Sequence, residues 1–232
     1  MIQKINTTEN LRYERKFTAT AAHRREILYA IKSHPAFFRE IHHPRQVNNI
    51  YMDTAGLKFF EANRIGVSER QKVRIRWYAD LFGEIQKPTL EFKIKHGLVG
   101  DKWSWRLADF TLNKEFNLNY LKKKFAKSDL PAPILESVQN LHPTLLNSYQ
   151  RTYFLSADGN YRLTLDEQLE YRNIQSNNNL FLDKRTTPNQ YVLELKYGLD
   201  LDDHVDLISG RLPFRLDKSS KYVNGIEFLK FV

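Results

Sequence analysis

Residues 72–78 read Lys-Val-Arg-Ile-Arg-Trp-Tyr. Successive side chains of a strand point to opposite faces, so Val73, Ile75 and Trp77 share one side and Arg74 and Arg76 the other. The fold turns on what those two arginines face. Water would make this an ordinary one-sided antiparallel sheet. An enclosed anion would make it the wall of a tunnel.

The same design recurs along the chain. Arg12, Glu14 and Lys16 alternate in LRYERKF (11–17), Glu91, Lys93 and Lys95 in LEFKIK (90–95), Arg162, Thr164 and Asp166 in YRLTLDE (161–167), and Glu194 and Lys196 in VLELKY (192–197). The opposite faces hold Tyr13, Phe17, Phe92, Ile94, Leu163, Leu165, Leu193 and Leu195. These large apolar faces need a cover, which amphipathic helices can supply.

Two architectures satisfy the pattern. An open sheet can pack its apolar face on helices and show its charged face to solvent, which is the ordinary case. Alternatively the sheet closes, with helices outside and the charged face lining a hydrated tunnel. The nearly unbroken charge and the arginine content favour the tunnel, because a solvated face mixes charge with neutral polar residues. Glu14, Glu91 and Glu194 each also stand two residues from a lysine, so one face offers carboxylates for Mg²⁺ or Mn²⁺ beside cations for phosphate oxygens. Cross-strand ion pairing on an exposed sheet would use the same residues.

Period-two runs at 11–18, 47–53, 73–78, 90–95, 103–107, 149–155, 161–169 and 191–197 predict about eight strands. Helical patterns cover 21–33, 114–127 and 131–141, the last opening on proline. Ala157-Asp158-Gly159-Asn160 predicts a hairpin turn, and His96-Gly97 a second turn. Segments 175–179 and 183–190 read as mobile loops. No repeat or low-complexity linker divides the chain, so one domain over residues 1–232 is expected.

The chain has 232 residues, 41% of them hydrophobic and 13% aromatic, enough for a substantial core. Lys and Arg number 36 against 27 Asp and Glu, a formal charge of +9, which points to polyanionic partners. The absence of cysteine removes disulfides, thiolate zinc sites and cysteine nucleophiles. Neither a signal-peptide pattern nor an apolar run of about 20 residues is found, so a cytoplasmic protein without a membrane segment is expected. There is no helix-turn-helix, RNP or zinc-finger signature, so no nucleic-acid partner is expected. His34, His42 and His43 lie near prolines without metal-ligand spacing and read as surface residues. The Lys122-Lys123-Lys124 tract reads as a solvated helix face.

The motifs YERKF, VNNIYMDT, KVRIRWY, LEFKIK, SYQRTYF, RLTLDEQLEYR, VLELKY and SKYVNGIE follow one another from residue 13 to 227. In this order they resemble the triphosphate tunnel metalloenzymes (the CYTH-like superfamily), and within them the vacuolar transporter chaperone (VTC) polyphosphate polymerase domain. The resemblance implies an α+β fold, an eight-stranded antiparallel closed β-barrel with a polar, charged interior and covering helices outside. It implies that Lys16, Arg74, Arg76, Lys93, Arg151, Lys196 and Lys221 are catalytic phosphate ligands. Tyr149, Lys218, Lys95 and Arg162 would add substrate contacts. Glu194 would hold Mn²⁺ or Mg²⁺, with Glu14, Glu91 and Asp166 as acidic partners.

One position departs from the hydrolase branch of that superfamily, whose first strand opens E-x-E-x-K. Arg12 replaces the first glutamate, giving R-x-E-x-K, which is closer to the VTC branch. The expected activity is transfer of the γ-phosphate of ATP, or of another nucleoside triphosphate, to inorganic polyphosphate, triphosphate or pyrophosphate. A metal-dependent tri- or polyphosphatase, a nucleoside triphosphatase and a non-catalytic polyphosphate-binding protein remain alternatives.

Overall fold

The computed structural model describes residues 12–20, 23–97 and 99–230. Leu11, Ala21 and Ala22, which open the first expected strand and helix, lie outside the described residues, as does the segment 1–10 read for a signal peptide.

The chain runs β1 (Arg12–Thr20), α1 (Arg24–Lys32), β2 (Arg39–Asp53), α2 (Lys58–Ile65), β3 (Glu69–Tyr78), β4 (Gly83–Ile85), β5 (Thr89–His96), β6 (Val99–Arg106) and β7 (Phe110–Leu112). It continues with α3 (Leu118–Ala126), α4 (Ala132–Gln139), β8 (His142–Leu155), β9 (Arg162–Arg172), β10 (Lys184–Thr186) and β11 (Gln190–Gly198). A 3₁₀ turn over Leu199–His204 leads into α5 (Val205–Ser209), β12 (Arg215–Leu216) and α6 (Lys221–Lys230). The hairpin turn expected at 157–160 joins β8 to β9, with Gly159 at φ +78° and Asp158 Oδ1 accepting from Asn160 N–H at 3.1 Å. Part of the expected loop 183–190 is instead β10, paired with β9.

Among the described residues, ten strands form one curled antiparallel sheet in the order β12-β1-β11-β9-β8-β2-β3-β5-β6, with β10 on β9, while β4 and β7 form a separate ribbon. The closed eight-stranded barrel expected from the sequence is not what forms. The outer edge of β1 is already occupied: Phe17 and Thr18 pair with Leu216 and Arg215 of β12, and Asp217 N–H donates to Lys16 O at 2.9 Å. Among the described residues no ladder joins β6 to β1, so the sheet curls without closing.

The apolar faces lie on the convex side, under helices. Val73, Ile75, Trp77, Leu90 and Phe92 pack with Leu121 and Phe125 of α3 and Val138 of α4. Helix α3 begins where Asn117 Oδ1 accepts from Tyr120 N–H at 2.9 Å, an N-cap, and buries Leu118, Leu121 and Phe125 along one stripe. On the other half of the sheet Phe17, Leu163, Leu165, Leu193 and Leu195 meet Ile27 and Ile31 of α1 and Val205 of α5. His34 is buried rather than on the surface. Its Nε2 pairs with Ile208 O at 3.0 Å and its Nδ1 accepts from Ala36 N–H at 3.0 Å. His42 and His43 are exposed, on β2.

Helix α6 corrects the expectation that the helices lie outside. Tyr51 pairs in register with Arg74 on one side and Leu145 on the other, so these residues share the concave face. Tyr222, Val223 and Ile226 of α6 pack there with Tyr51, Leu145, Tyr149, Leu169 and Tyr171. Tyr222 stacks on Tyr51 with ring centroids 4.8 Å apart, and its O–H donates to Asp53 Oδ2 at 2.6 Å. Close approach requires Gly225, where a Cβ would lie 2.6 Å from both Leu145 Cδ2 and Tyr171 Cδ1. The helix thus fills part of the interior with apolar contacts and presents its first residue, Lys221, to the remaining space. Among the described residues no helix is long and apolar enough to cross a membrane.

Candidate functional site

The space left by α6 is a cavity of about 260 Å³. Strand β1 contributes Glu14 and Lys16 to it, β3 contributes Lys72, Arg74 and Arg76, β5 Lys93, β6 Gly100 and Lys102, and β11 Glu194 and Lys196. Tyr51 of β2, Tyr149 and Arg151 of β8, and Ser220 and Lys221 at the start of α6 complete the lining. Among the described residues, nine cationic side chains therefore face two carboxylates. Arg74 and Arg76 point into an enclosed, strongly positive space.

Two carboxylates behind this lining hold the cations in place. Glu91, 4% exposed, receives Arg74 at 2.7 Å, Lys102 at 2.7 Å and Arg76 at 3.7 Å. Burial opposes ionisation of Glu91, but Arg74, Arg76 and Lys102 outweigh it and hold its carboxyl well below the usual range. Asp166, fully buried, receives Arg151 Nη2 at 2.6 Å and Lys221 Nζ at 2.5 Å. Burial likewise opposes ionisation of Asp166, and Arg151 and Lys221 reverse that effect. Arg76 is oriented further by donating to Asn49 Oδ1 at 3.1 Å. The ring of Tyr149 lies beneath two cations, the Lys221 ammonium 4.8 Å and the Arg151 guanidinium 5.3 Å from its centroid.

The lining carboxylates have a different setting. Glu14 and Glu194 stand on paired strands, each opposite a lysine: Glu14 opposite Lys196, and Lys16 opposite Glu194. Burial and the neighbouring Glu194 push Glu14 upward, yet Lys93, Lys16 and Lys196 bring it down to about 2. Burial also opposes ionisation of Glu194, while Arg151, Lys196, Lys221 and Lys16 hold it well below the usual carboxylate range. Both are therefore ionised at neutral pH.

Of the residues expected to bind phosphate, Lys16, Arg74, Arg76, Lys93, Tyr149, Arg151, Lys196 and Lys221 are brought together on the cavity. Lys95, Arg162 and Lys218 are not on its lining: Arg162 and Lys218 are exposed, and Lys95 lies one rung out from Lys93. Sequence reasoning missed Lys72, Lys102 and Tyr51. Lys72 has the parity of Arg74 within KVRIRWY itself, and Lys102 alternates with Trp103 and Trp105, so the signal that identified the arginines applied to both.

Of the four acidic residues expected to hold metal, Glu91 and Asp166 are engaged by cations behind the lining, leaving Glu14 and Glu194 open to the cavity. Among the described residues no cluster of three or more His, Asp or Glu side chains is arranged for a metal ion. Two carboxylates nevertheless suit Mg²⁺ or Mn²⁺ arriving with phosphate oxygens, since such ions commonly use one or two protein carboxylates and complete their shell with substrate and water.

A family model described as VTC domain matches residues 11–230. Among solved structures, a Pyrococcus horikoshii protein is 12% identical over 93% of this chain and 99% of its own, with a TM-score of 0.49. A protein from Vibrio parahaemolyticus, named as a candidate adenylate cyclase, is 13% identical over 91% of this chain and 97% of its own, with a TM-score of 0.48. A candidate adenylyl cyclase from Hippeastrum, described as having a dominant triphosphatase activity, is 13% identical over 94% of this chain and 97% of its own, with a TM-score of 0.49. The search of curated proteins gave no match. The family match spans every strand that supplies a cation to the cavity: the chain belongs to the VTC-domain family.

Proposed function

We propose that the chain is a metal-dependent polyphosphate polymerase, moving the γ-phosphate of ATP or another nucleoside triphosphate onto a growing inorganic polyphosphate chain. The observation that carries this reading is the convergence, among the described residues, of nine cations from β1, β3, β5, β6, β8, β11 and α6 on one small cavity. Phosphoryl transfer asks a protein mainly for positioning and for neutralisation of charge on the phosphate oxygens. Fixed arginines and lysines supply both.

In the proposed reaction a terminal oxygen of the polyphosphate chain attacks the γ-phosphorus. The bond from that phosphorus to the β,γ-bridging oxygen breaks, and the nucleoside diphosphate leaves with that oxygen. No side chain need act as nucleophile. Arg74 and Arg76, two strand positions or about 7 Å apart, grip oxygens of neighbouring phosphates, and Lys221 and Arg151 add charge beside Tyr149. Glu14 and Glu194 would hold a divalent metal, which when bound neutralises phosphate oxygens and eases departure of the leaving group.

Transfer is preferred over hydrolysis because Arg12 stands where the hydrolase branch carries its first glutamate. The test is to incubate the purified protein with ATP and Mn²⁺ and separate the products on a gel stained for polyphosphate. A ladder supports the polymerase. Free phosphate without a ladder identifies a hydrolase, and binding without product a polyphosphate-binding protein.

A further inference from the structure

Strands β3 and β8 both lie antiparallel to β2, so they run in the same direction. On β3 the concave positions after Arg74 are Arg76 and then Tyr78; on β8 the concave positions after Tyr149 are Arg151 and then Tyr153. Each strand therefore steps from an arginine on the cavity lining to a tyrosine beyond it, and both steps lead toward the same end. The opposite end is the one α6 packs against, near the start of β8, through Leu145 and through Tyr171, the partner of Asn147.

The end reached by the tyrosines is open. Tyr78 is 48% exposed, and among the described residues its ring meets no other ring and its hydroxyl no hydrogen-bond partner. Val47 of β2 stands in register between Tyr78 and Tyr149, which places Tyr78 on the concave side. Tyr153 is half-buried and held in place: the Arg45 guanidinium lies 5.7 Å from its ring centroid, and the His42 ring meets it edge-on with centroids 5.7 Å apart. Burial raises the Tyr153 hydroxyl above the usual tyrosine range, Tyr78 and Tyr149 add to the rise, and Arg151 and Arg45 oppose it, so these side chains gather around one mouth.

A tyrosine at this mouth brings no charge to a phosphate. It brings a flat ring face, and the part of a nucleoside triphosphate that matches a ring face is the base. Two strand positions advance about 7 Å, which leaves room for the ribose between the α-phosphate and the base.

We propose that Tyr78 and Tyr153 form a nucleobase subsite at this mouth, where the base stacks on Tyr78, Tyr153 with Arg45 walls its other side, and the phosphates point inward past Arg76 and Arg151. The proposal rests on the reading of the cavity as a phosphate site. It gives a nucleoside triphosphate an advantage over bare triphosphate, and it fixes the end from which the nucleotide enters. Stacking reads the face of a base and tolerates differences at its edges.

Calorimetry on chelator-treated protein tests this with two ligands, ATP and inorganic tripolyphosphate, which share the phosphate chain and differ in the nucleoside. Tyr78→Ala is expected to raise Kd for ATP about tenfold, as the loss of a base–aromatic stack does, and to leave Kd for tripolyphosphate within about twofold of wild type. The retained tripolyphosphate binding also shows that the variant is folded. Tyr78→Phe keeps the ring without the hydroxyl and should bind ATP as wild type does. Tyr153→Ala should weaken ATP binding in the same selective way. Unchanged ATP affinity in Tyr78→Ala would overturn the proposal, as would equal weakening toward both ligands, or a loss in Tyr78→Phe as large as in Tyr78→Ala. Those outcomes leave the phosphate reading of the cavity standing, whereas wild-type protein that binds neither ligand would overturn both. No transfer is measured, so the result does not depend on whether the chain polymerises or hydrolyses.

Discussion

Lys93 Nζ on β5 lies 3.3 Å from Glu14 Oε2 on β1, although no ladder among the described residues joins these two strands. The curled sheet is bridged by side chains where a barrel would be joined by backbone. This places Lys93 between the two walls of the cavity, where it meets both like and opposite charge.

That position makes phosphate binding sensitive to pH. Burial first, then Lys16 and Lys196, pull the Lys93 ammonium down to about 8 despite the attraction of Glu14. Above that pH the amine is neutral and no longer attracts phosphate. Affinity for tripolyphosphate should therefore fall as pH rises through about 8. Lys93→Arg, which stays charged, should flatten the fall; ionisation of the ligand itself is common to both proteins. Binding measured at several pH values on either side of that point checks this, and parallel curves for the two proteins would refute it.

Glu91 makes a prediction about stability. Its carboxyl is held well below the usual range, whereas in the unfolded chain it titrates near ~4.3. Its contribution is thus fully present above that value and is lost as pH falls below it. Glu91→Gln leaves Arg74, Arg76 and Lys102 without their shared counter-charge, which should cost about 3 kcal/mol at neutral pH. It should also make stability less dependent on pH on the acid side. Urea unfolding of both proteins at neutral and acid pH measures each effect; equal loss of stability on acidification would rule out this role for Glu91.

The faces of the strands were legible because alternation is a local property: KVRIRWY assigns Arg74 and Arg76 to one side whatever the rest of the chain does. Applied evenly, the same rule includes Lys72 and Lys102. Closure was not legible, because it depends on which strand takes the edge of β1, and the two-residue β12 has no periodicity to announce it. Nor could alternation separate Glu14 from Glu91. Both stand two residues before a lysine, but Glu91 is engaged by Arg74 and Lys102 across two ladders while Glu14 lines the cavity. Helix α6 was visible only as the motif SKYVNGIE. Its place inside the curl follows from Gly225 and Tyr222, whose partners Leu145, Tyr171 and Asp53 are distant in sequence.

Gly225 gives a third prediction, connecting packing to the cavity. Alanine in a helix is favoured over glycine by ~1 kcal/mol, but here its methyl would meet Leu145 and Tyr171, both at most 2% exposed and unable to withdraw easily. Overpacking of this kind costs ~1–3 kcal/mol, so the net effect of Gly225→Ala should be destabilising. Relief requires α6 to move away from the sheet, carrying Lys221 from Asp166 and Glu194. The variant should therefore show a lower Tm and weaker tripolyphosphate binding together; a raised Tm would show that the helix does not pack as closely as described.

Glu194 separates binding from chemistry. Arg151 and Lys221 each contact Asp166 as well as Glu194, so Glu194→Gln leaves both cations with a buried counter-charge and should leave the fold intact. It removes a negative charge from a cavity that receives a polyanion, so metal-free tripolyphosphate should bind more tightly, by several-fold. It also removes one of the two carboxylates open to a metal, so polyphosphate formation from ATP and Mn²⁺ should fall by ~100-fold or more, in the range found when one charge-stabilising group is lost from a transition state. Tighter binding with slower turnover is an outcome that general unfolding cannot produce, since unfolding weakens both. If calorimetry and the product gel instead showed binding and turnover falling in parallel, Glu194 would be a structural counter-charge like Asp166, and the metal would have to be held by other groups.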